Sequence, residues 1–203
     1  MIIRAATTRD LPGVVATHLA AFPGFYLTEL GRGFLSKYYA LVLDRPKGIL
    51  WVAEEDGRIS GFVSGFLEPS QFYSELRRRK FRFLVAALPA LIRKPRRMVR
   101  LVLNFQRTRT MSREDRPGTA ELSSIGAHPL TRGKRVGREL VLAFNGRAEK
   151  MGATAVVLTT NTFQNDRVNE YYQKLGFRLL KTFEAQPGRW LNEYILDLGA
   201  ARG

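Results

Sequence analysis

The sequence predicts an α+β fold in which helices flank a mixed β-sheet, and three observations support this prediction. Apolar, β-rich runs on both sides of Asp56-Gly57 indicate a β-hairpin, because Asp-Gly favours a tight two-residue turn. Residues 27–43 carry apolar side chains at helical spacing. From residue 119 onwards the pattern alternates strand, helix, strand and helix before a final pair of strands.

Short local signals place the individual elements. Thr8 or Asp10 can cap a helix over residues 11–22, and Pro23-Gly24 ends it. The other elements predicted for the first half are strands at 2–4, 49–54 and 58–67 and a helix at about 27–43. For the second half they are strands at 119–127, 153–159, 177–184 and 190–198 and helices at 133–151 and 166–175.

The composition excludes several kinds of chemistry. The 203 residues include no cysteine, which rules out disulfides, thiolate catalysis and zinc–thiolate sites. Only two histidines are present, His18 and His128, so we expect no metal site; we interpret His18 as a packing or surface residue and His128 as structural. The first five residues lack the basic-then-apolar layout of a secretion signal, which predicts a cytoplasmic location.

The net charge of +15 is concentrated in one segment. Residues 77–113 contain 13 Lys or Arg and no Asp or Glu, which leaves 20 of the 33 basic residues to balance all 18 acidic residues elsewhere. The apolar run at 81–92 lies inside this segment and is too short for a bilayer span, which needs ~20 residues. We expect residues 70–116 to form a basic, apolar helical insertion.

Several partners for residues 77–113 stay open. The segment could lie on an anionic membrane, which would make the protein peripheral to it. It could bind an acidic partner or nucleic acid, although no nucleic-acid motif accompanies the charge. It could also pack on the domain or across a homodimer, with its arginines in solvent.

The strand-to-helix junction at 127–137 is the first candidate site. A helix N-terminus presents unpaired N–H groups and a partial positive charge, which together bind phosphates. Glycines and basic side chains occupy this junction: Arg132, Gly133, Lys134, Arg135 and Gly137. The junction is neither a P-loop nor a G-x-G-x-x-G dinucleotide motif. Taken alone, it fits a phosphate site and a solvated basic helix start equally well.

A second stretch, residues 165–177, decides between these interpretations. It opens with Asn165, carries Tyr172 seven residues later and closes with Gly176-Phe177, where the glycine suits a helix C-cap. Together with the first junction, it closely resembles the GNAT superfamily of acetyl-CoA-dependent N-acyltransferases. That family has Arg/Gln-x-x-Gly-x-Gly/Ala after a strand, and later Asn, Tyr seven residues on and Gly-Phe. The family's glycine between Arg132 and Gly137 is Arg135 in this chain.

The order of the predicted elements also matches the family. The resemblance implies one N-acetyltransferase domain over residues 1–203 with a three-layer αβα architecture. Its central sheet would be mixed and mostly antiparallel, with the insertion at 70–116 between the third and fourth strands. The implied reaction transfers an acetyl group from acetyl-CoA to the primary amine of a small-molecule acceptor.

The resemblance also assigns contacts to acetyl-CoA. Asn165 would contact the pantetheine arm or adjacent backbone. The strand end that would pair with the pantetheine arm comprises Ile125, Gly126 and Ala127. The amides that would hold the pyrophosphate belong to Arg132, Gly133, Lys134, Arg135, Val136 and Gly137. The Arg135 side chain could crowd the pyrophosphate, or it could point outward and add a charge contact.

Two residues are candidates for proton transfer. The attacking amine must be neutral, and the departing thiolate gains from a proton donor. The resemblance places Tyr172 near the sulfur as that donor; the alternative is a tyrosine packed in the core. Glu121, at the start of the strand leading into the cofactor loop, is the candidate base; the alternatives are a surface carboxylate and a solvent relay.

The acceptor is less well defined. The turn at 22–26 could supply aromatic walls for a sugar or an amine, or it could be a packed corner. An amino sugar in envelope polysaccharide synthesis is the acceptor that we prefer. The alternatives to an enzyme are a non-catalytic module that binds CoA or phosphate and a protein that interacts with a membrane or an acidic partner on the same fold.

Overall fold

The computed structural model describes residues 1–93, 116–131 and 135–199. The strands are β1 (Ile2–Ala5), β2 (Gly48–Glu55), β3 (Arg58–Leu67), β4 (Thr119–Ala127), β5 (Ala155–Asn161), β6 (Arg178–Gln186) and β7 (Arg189–Asp197). The helices are α1 (Leu11–Ala21), α2 (Tyr26–Glu29), α3 (Gly31–Asp44), α4 (Pro69–Arg78), α5 (Lys80–Arg93), α6 (Val136–Lys150) and α7 (Asp166–Lys174).

The strands form one sheet in the order β1-β2-β3-β4-β5-β7-β6. Every neighbouring pair is antiparallel except β4 and β5, which are parallel. Helices pack on both faces, as the two hydrophobic cores show. The predicted three-layer arrangement around a mixed, mostly antiparallel sheet is therefore confirmed.

The alternation of side chains along each strand builds the two cores. Successive residues of a strand point to opposite faces, so Leu50 and Val52 of β2 enter the core beneath α1, α3, α4 and α5. Ile49 and Ala53 enter the other core, beneath α6 and α7. The β2–β3 turn has Asp56 and Gly57 at φ of 52° and 71°, as expected of an Asp-Gly hairpin.

Several predicted boundaries shift. The helix predicted at 27–43 is two helices, because Gly31 has a φ of 87° and α3 begins there. The helix predicted from residue 133 begins at Val136, because Arg135 is left-handed and cannot continue a helix. The strand predicted at 153–159 lies at Ala155–Asn161, since residues 151–152 first form the turn that ends α6.

The described part of the basic segment is helical. Helix α5 packs on α3 through an edge-to-face contact between Phe83 and Phe34, with ring centroids 5.2 Å apart. Residues 94–115, nearly half of the insertion that we expected at 70–116, lie outside the described residues. None of the helices in the described ranges is long and apolar enough to cross a membrane.

Candidate functional site

The site lies where two parallel strands separate. Residues 119–121 of β4 pair with residues 155–157 of β5, and the pairing stops there, although β4 continues to Ala127 and β5 to Asn161. Beyond the split, no strand of the described residues pairs with the N–H and C=O groups on the β4 edge that faces β5. Such groups need partners, so this edge can bind an extended ligand as a strand would.

A cavity of about 540 Å³ opens at the split. Its walls come from the end of α1, from β4 and β5, from α7 and from the β6–β7 hairpin. The predicted site residues that line it are Glu121, Ile125, Ala127, Gly137, Asn165 and Tyr172. The cavity therefore brings the two sequence motifs together.

A bulge in β4 borders the cavity. Ser123 is the extra residue, since Ser64 of β3 lies opposite Ser124 while the next residue of β3 lies opposite Leu122. The Ser123 hydroxyl is 2.8 Å from the Tyr38 hydroxyl, and Ser124 is hydrogen-bonded to Tyr39. Two consecutive tyrosines of α3 are thus hydrogen-bonded to the bulge. Bulges commonly change the direction of strand side chains beside active sites.

His18 is buried beside this network and also lines the cavity. Its Nδ1 lies 2.6 Å from the Tyr39 hydroxyl, while its Nε2 is buried and has no hydrogen-bond partner among the described residues. Burial lowers the pKa of His18 to about 4, so the ring is neutral at neutral pH. The spacing of Leu11, Val15, His18 and Phe22 along one helical face was the signal for its inward direction.

Glu121 sits at the point of separation, opposite Val157 of β5. The Tyr73 hydroxyl donates a hydrogen bond of 2.8 Å to Glu121 Oε1. The carboxylate lines the cavity and is partly buried, so it is not the surface carboxylate that was the alternative interpretation.

Tyr172 forms part of the opposite wall. Its ring is buried and packs edge-to-face on Phe177 and Tyr171, with centroid distances of 5.7 Å and 5.3 Å. Burial raises the pKa of Tyr172 well above its usual range, which keeps the hydroxyl protonated. It is therefore both a packed tyrosine and a potential proton donor at the cavity.

Asn165 precedes α7 and is hydrogen-bonded to the end of β5. Its Nδ2 donates to the Asn161 carbonyl at 3.2 Å, and Nδ2 of Asn169 donates to the same carbonyl at 3.3 Å. Thr160 Oγ1 donates to Asn169 Oδ1 at 2.6 Å. No motif predicted Asn169, although its position one helical turn after Asn165 indicates that the two side chains are neighbours.

The start of α6 explains two features of the first motif. Arg135 has a φ of 56°, a conformation that glycine adopts without steric cost, and its side chain is exposed. A Cβ added to Gly137 would lie 3.0 Å from the Tyr171 hydroxyl. That hydroxyl is buried without a partner among the described residues, and burial raises the pKa of Tyr171 to about 12.

The remaining predicted cofactor residues differ in position. Gly126 is closely packed, since an added Cβ would lie 2.9 Å from a Phe62 carbon and 3.0 Å from a Phe22 carbon. Val136 has its side chain in the core, so only its backbone can reach a ligand. Arg132, Gly133 and Lys134 lie outside the described residues.

The rest of the cavity wall comes from the turn at 22–26, which the sequence indicated for an acceptor, and from side chains of the β6–β7 hairpin that no motif predicted. Phe22 and Phe25 line the cavity and contact each other edge-to-face at 5.4 Å, while the Tyr26 side chain is not described. Lys181, Arg189 and Glu193 line it from the β6–β7 hairpin. Within the described ranges, no three His, Cys, Asp or Glu side chains lie close enough together to hold a metal ion.

Comparison with known proteins gives a family for this arrangement. The sequence model of the acetyltransferase (GNAT) family matches residues 18–177. No curated protein matches the chain.

Solved structures give the same fold. The chain is 14% identical to the ribosomal-protein-S18-alanine N-acetyltransferase of Escherichia coli, with a TM-score of 0.60 over 98% of this chain and 95% of that one. It is 17% identical to an N-acetyltransferase of Staphylococcus aureus Mu50, with a TM-score of 0.61 over 97% and 98%. It is 14% identical to the PaiA N-acetyltransferase of Thermoplasma acidophilum in complex with coenzyme A, with a TM-score of 0.60 over 95% and 96%. At such identities the likeness establishes the fold alone.

Proposed function

The chain belongs to the GNAT family of acetyltransferases, and we propose that it transfers an acetyl group from acetyl-CoA to the primary amine of a small-molecule acceptor. The observation that carries this proposal is the separation of β4 from β5, with Tyr172 and Glu121 both on the walls of the resulting cavity. An acyl transfer of this kind needs a place for a thioester, a proton donor and a proton acceptor.

The residues present fit acetyl-CoA. The β4 edge from Ile125 to Ala127 has backbone groups that can pair with the amides of the pantetheine arm. The N-terminus of α6 can bind the pyrophosphate through backbone N–H groups around Val136 and Gly137. The Arg135 side chain is exposed at this N-terminus, and we propose that it leaves the phosphates room to approach the backbone.

Two side chains divide the proton transfers in this proposal. Glu121 accepts a proton from the acceptor's ammonium group, directly or through water, and the neutral nitrogen attacks the thioester carbon. The C–S bond breaks, and Tyr172 donates its hydroxyl proton to the sulfur. The proton that leaves the new amide nitrogen restores the Tyr172 hydroxyl, directly or through water. The position of Tyr172 on the cavity wall supports this role.

An amino sugar is the acceptor that we propose within the class of small amines. Phe22 and Phe25 support it, because aromatic rings pack well against the apolar faces of sugars and both rings line the cavity. The alternative is a module that binds CoA without turnover, which the arginine at position 135 leaves open.

A screen of primary amines separates these two functions. Purified protein would be mixed with acetyl-CoA and each amine, and free thiol would be measured. We expect thiol release that depends on the amine, with at least one amino sugar among the active acceptors. Binding of acetyl-CoA in calorimetry without thiol release for any amine would favour the non-catalytic module, and the absence of binding would contradict both.

A separate observation favours peripheral attachment to a membrane. Helix α5 buries Phe83 and Ala87 but exposes an apolar stripe at helical spacing, with Phe81, Val85, Leu88 and Ile92 at 70%, 62%, 47% and 77% exposure. Exposed basic residues adjoin the stripe: Arg77, Arg78, Lys80 and Arg82. We propose that this face lies on an anionic membrane surface, because an interfacial helix combines an apolar face with flanking cations.

Co-sedimentation with vesicles tests this attachment. We expect binding to phosphatidylcholine vesicles that contain phosphatidylglycerol, weakening with salt, and little binding to phosphatidylcholine alone. Val85→Glu should reduce binding strongly, whereas Leu142→Glu, at an exposed apolar position on α6, should not. Equal binding to both kinds of vesicle, or equal loss in both variants, would contradict the proposal; binding only to an acidic protein would assign the face to that partner.

A further inference from the structure

We infer that Arg189 binds an anionic group of the acceptor, so that the acceptor carries a phosphate or a carboxylate in addition to its amine. This inference rests on the proposed function and concerns the part of the cavity that no motif defines. The observation behind it is the Arg189 guanidinium on the β6–β7 hairpin, which forms no ion pair within the part of the chain that the structure describes.

The backbone directs Arg189 toward the cavity. The residue opens β7 directly after the turn that contains Gly188, and it lies opposite Gln186. Alternate residues of a strand share a face, and Arg189, Leu191 and Glu193 all line the cavity. The guanidinium is thus carried on the acceptor wall rather than on the outer face of the hairpin.

The acidic side chains nearby on this hairpin already have partners. Glu193 Oε2 lies 3.4 Å from Lys181 Nζ. Glu184 Oε1 accepts a hydrogen bond of 2.7 Å from the Gly188 N–H and so stabilises the turn. Arg189 forms no ion pair with any carboxylate of the described ranges, so its charge is available to a ligand.

The surroundings of Arg189 strengthen its attraction to an anion. The side chain is exposed at the cavity, yet the neighbouring protein partly desolvates it and lowers its pKa. A partly desolvated cation interacts with an anion more strongly than one in bulk water. A guanidinium binds phosphate and carboxylate in the same two-pronged geometry, and these are the two sources of the anionic group.

The register of the sheet indicates an extended acceptor. Glu121 lies opposite Val157, and Val157 lies opposite Ile195. Arg189 is six residues from Ile195 along β7, which places its backbone roughly 20 Å from the Glu121 row at the usual rise per residue. The long side chains shorten this gap. We therefore expect the acceptor to carry its amine, near Glu121, and its anionic group, near Arg189, at opposite ends.

Matched pairs of amines test the inference. The phosphate pair is glucosamine 6-phosphate against glucosamine, and the carboxylate pair is triglycine against triglycinamide. We expect the wild-type protein to favour one anionic member by about tenfold or more in kcat/KM, since a hydrogen bond between two charged groups is worth that much. Arg189→Ala should abolish the preference, and Arg189→Lys should retain part of it.

Arg178→Ala is the matched control, because Arg178 lies on the same hairpin but forms an exposed ion pair with Asp197. It should keep the wild-type preference. A preference that survives in Arg189→Ala, or that is absent from the wild type in both pairs, would overturn the inference. The pair that shows the preference identifies phosphate or carboxylate as the source.

A binding measurement separates this inference from the proposed function. The same four amines would be titrated by calorimetry into protein saturated with CoA. Tighter binding of an anionic member, lost in Arg189→Ala, supports the anion site even if no thiol is released, in which case only the proposed function fails. Equal binding by the wild type and Arg189→Ala, or no binding of either anionic probe, overturns the anion site whatever the turnover.

Discussion

The two walls of the cavity are built on different principles. The wall that we propose for acetyl-CoA, the cofactor wall, uses short, consecutive stretches, namely the end of β4, the start of α6 and helix α7, and it offers mainly backbone groups together with Tyr172. The wall that we propose for the acceptor, the acceptor wall, uses isolated side chains from α1, the following turn and the distant strands β6 and β7. Backbone groups suit a ligand common to a whole family, whereas side chains set the specificity of one member.

Loss of the Tyr172 hydroxyl should have the largest effect. We expect Tyr172→Phe to lower kcat about 100-fold or more, because proton donation to a leaving group contributes on this scale. The Kd for acetyl-CoA should stay unchanged, since the ring still packs on Phe177. Thiol release and calorimetry measure the two quantities; an unchanged kcat would show that water or another group protonates the sulfur.

His18, on the acceptor wall, should make the folded protein less stable in acid. Its pKa is about 4 in the folded protein against 6.5 in the unfolded chain, so the unfolded state binds more protons between these values. The free energy of unfolding should therefore fall as the pH drops from 6.5 to 4, by up to about 3 kcal/mol.

Denaturant unfolding at a series of pH values measures this loss, and His18→Gln should flatten it. The Arg4 guanidinium holds the pKa of the Asp10 carboxyl well below its usual range, so the stability that this ion pair contributes is lost only below about pH 3.8. Stability that stays constant in the wild type between pH 6.5 and 4 would contradict the buried, neutral state of His18.

Glu121 lies where the two walls meet. Glu121→Gln should lower kcat/KM about tenfold, the scale of a base that water partly replaces, and should shift the acidic limb of the pH–rate profile to higher pH, because the amine then loses its proton to solvent. The Tyr73 hydroxyl can still donate to the amide oxygen, so the local packing should be kept. An unchanged pH–rate profile would remove Glu121 from the mechanism and leave a solvent relay.

The smallest effect should come from Arg135 on the cofactor wall. Arg135→Gly removes a side chain from a left-handed position, which should raise the free energy of unfolding by up to about 1 kcal/mol. Acetyl-CoA should bind equally well or more tightly. Denaturant unfolding and calorimetry measure these changes; weaker binding would show that the guanidinium itself contacts the phosphates.

The same difference between the walls explains how far the sequence could be interpreted. The β4 strand was predicted with both of its ends, and the two motifs were placed on one cavity, because each is a local pattern. The start of α6 was predicted too early because position 135 is left-handed. A glycine there would have indicated this conformation, whereas an arginine does not. Lys181, Arg189 and Glu193 were missed because only long-range pairing of β5, β6 and β7 brings them to the cavity.

A crystal structure with acetyl-CoA bound would show whether the cavity holds the cofactor as proposed. We expect the pantetheine arm between the separated halves of β4 and β5, hydrogen-bonded to the backbone of residues 125–127. We also expect the pyrophosphate at the N-terminus of α6 and the sulfur within hydrogen-bonding distance of the Tyr172 hydroxyl. Acetyl-CoA bound elsewhere, or a sulfur far from Tyr172, would rule out the proposed site.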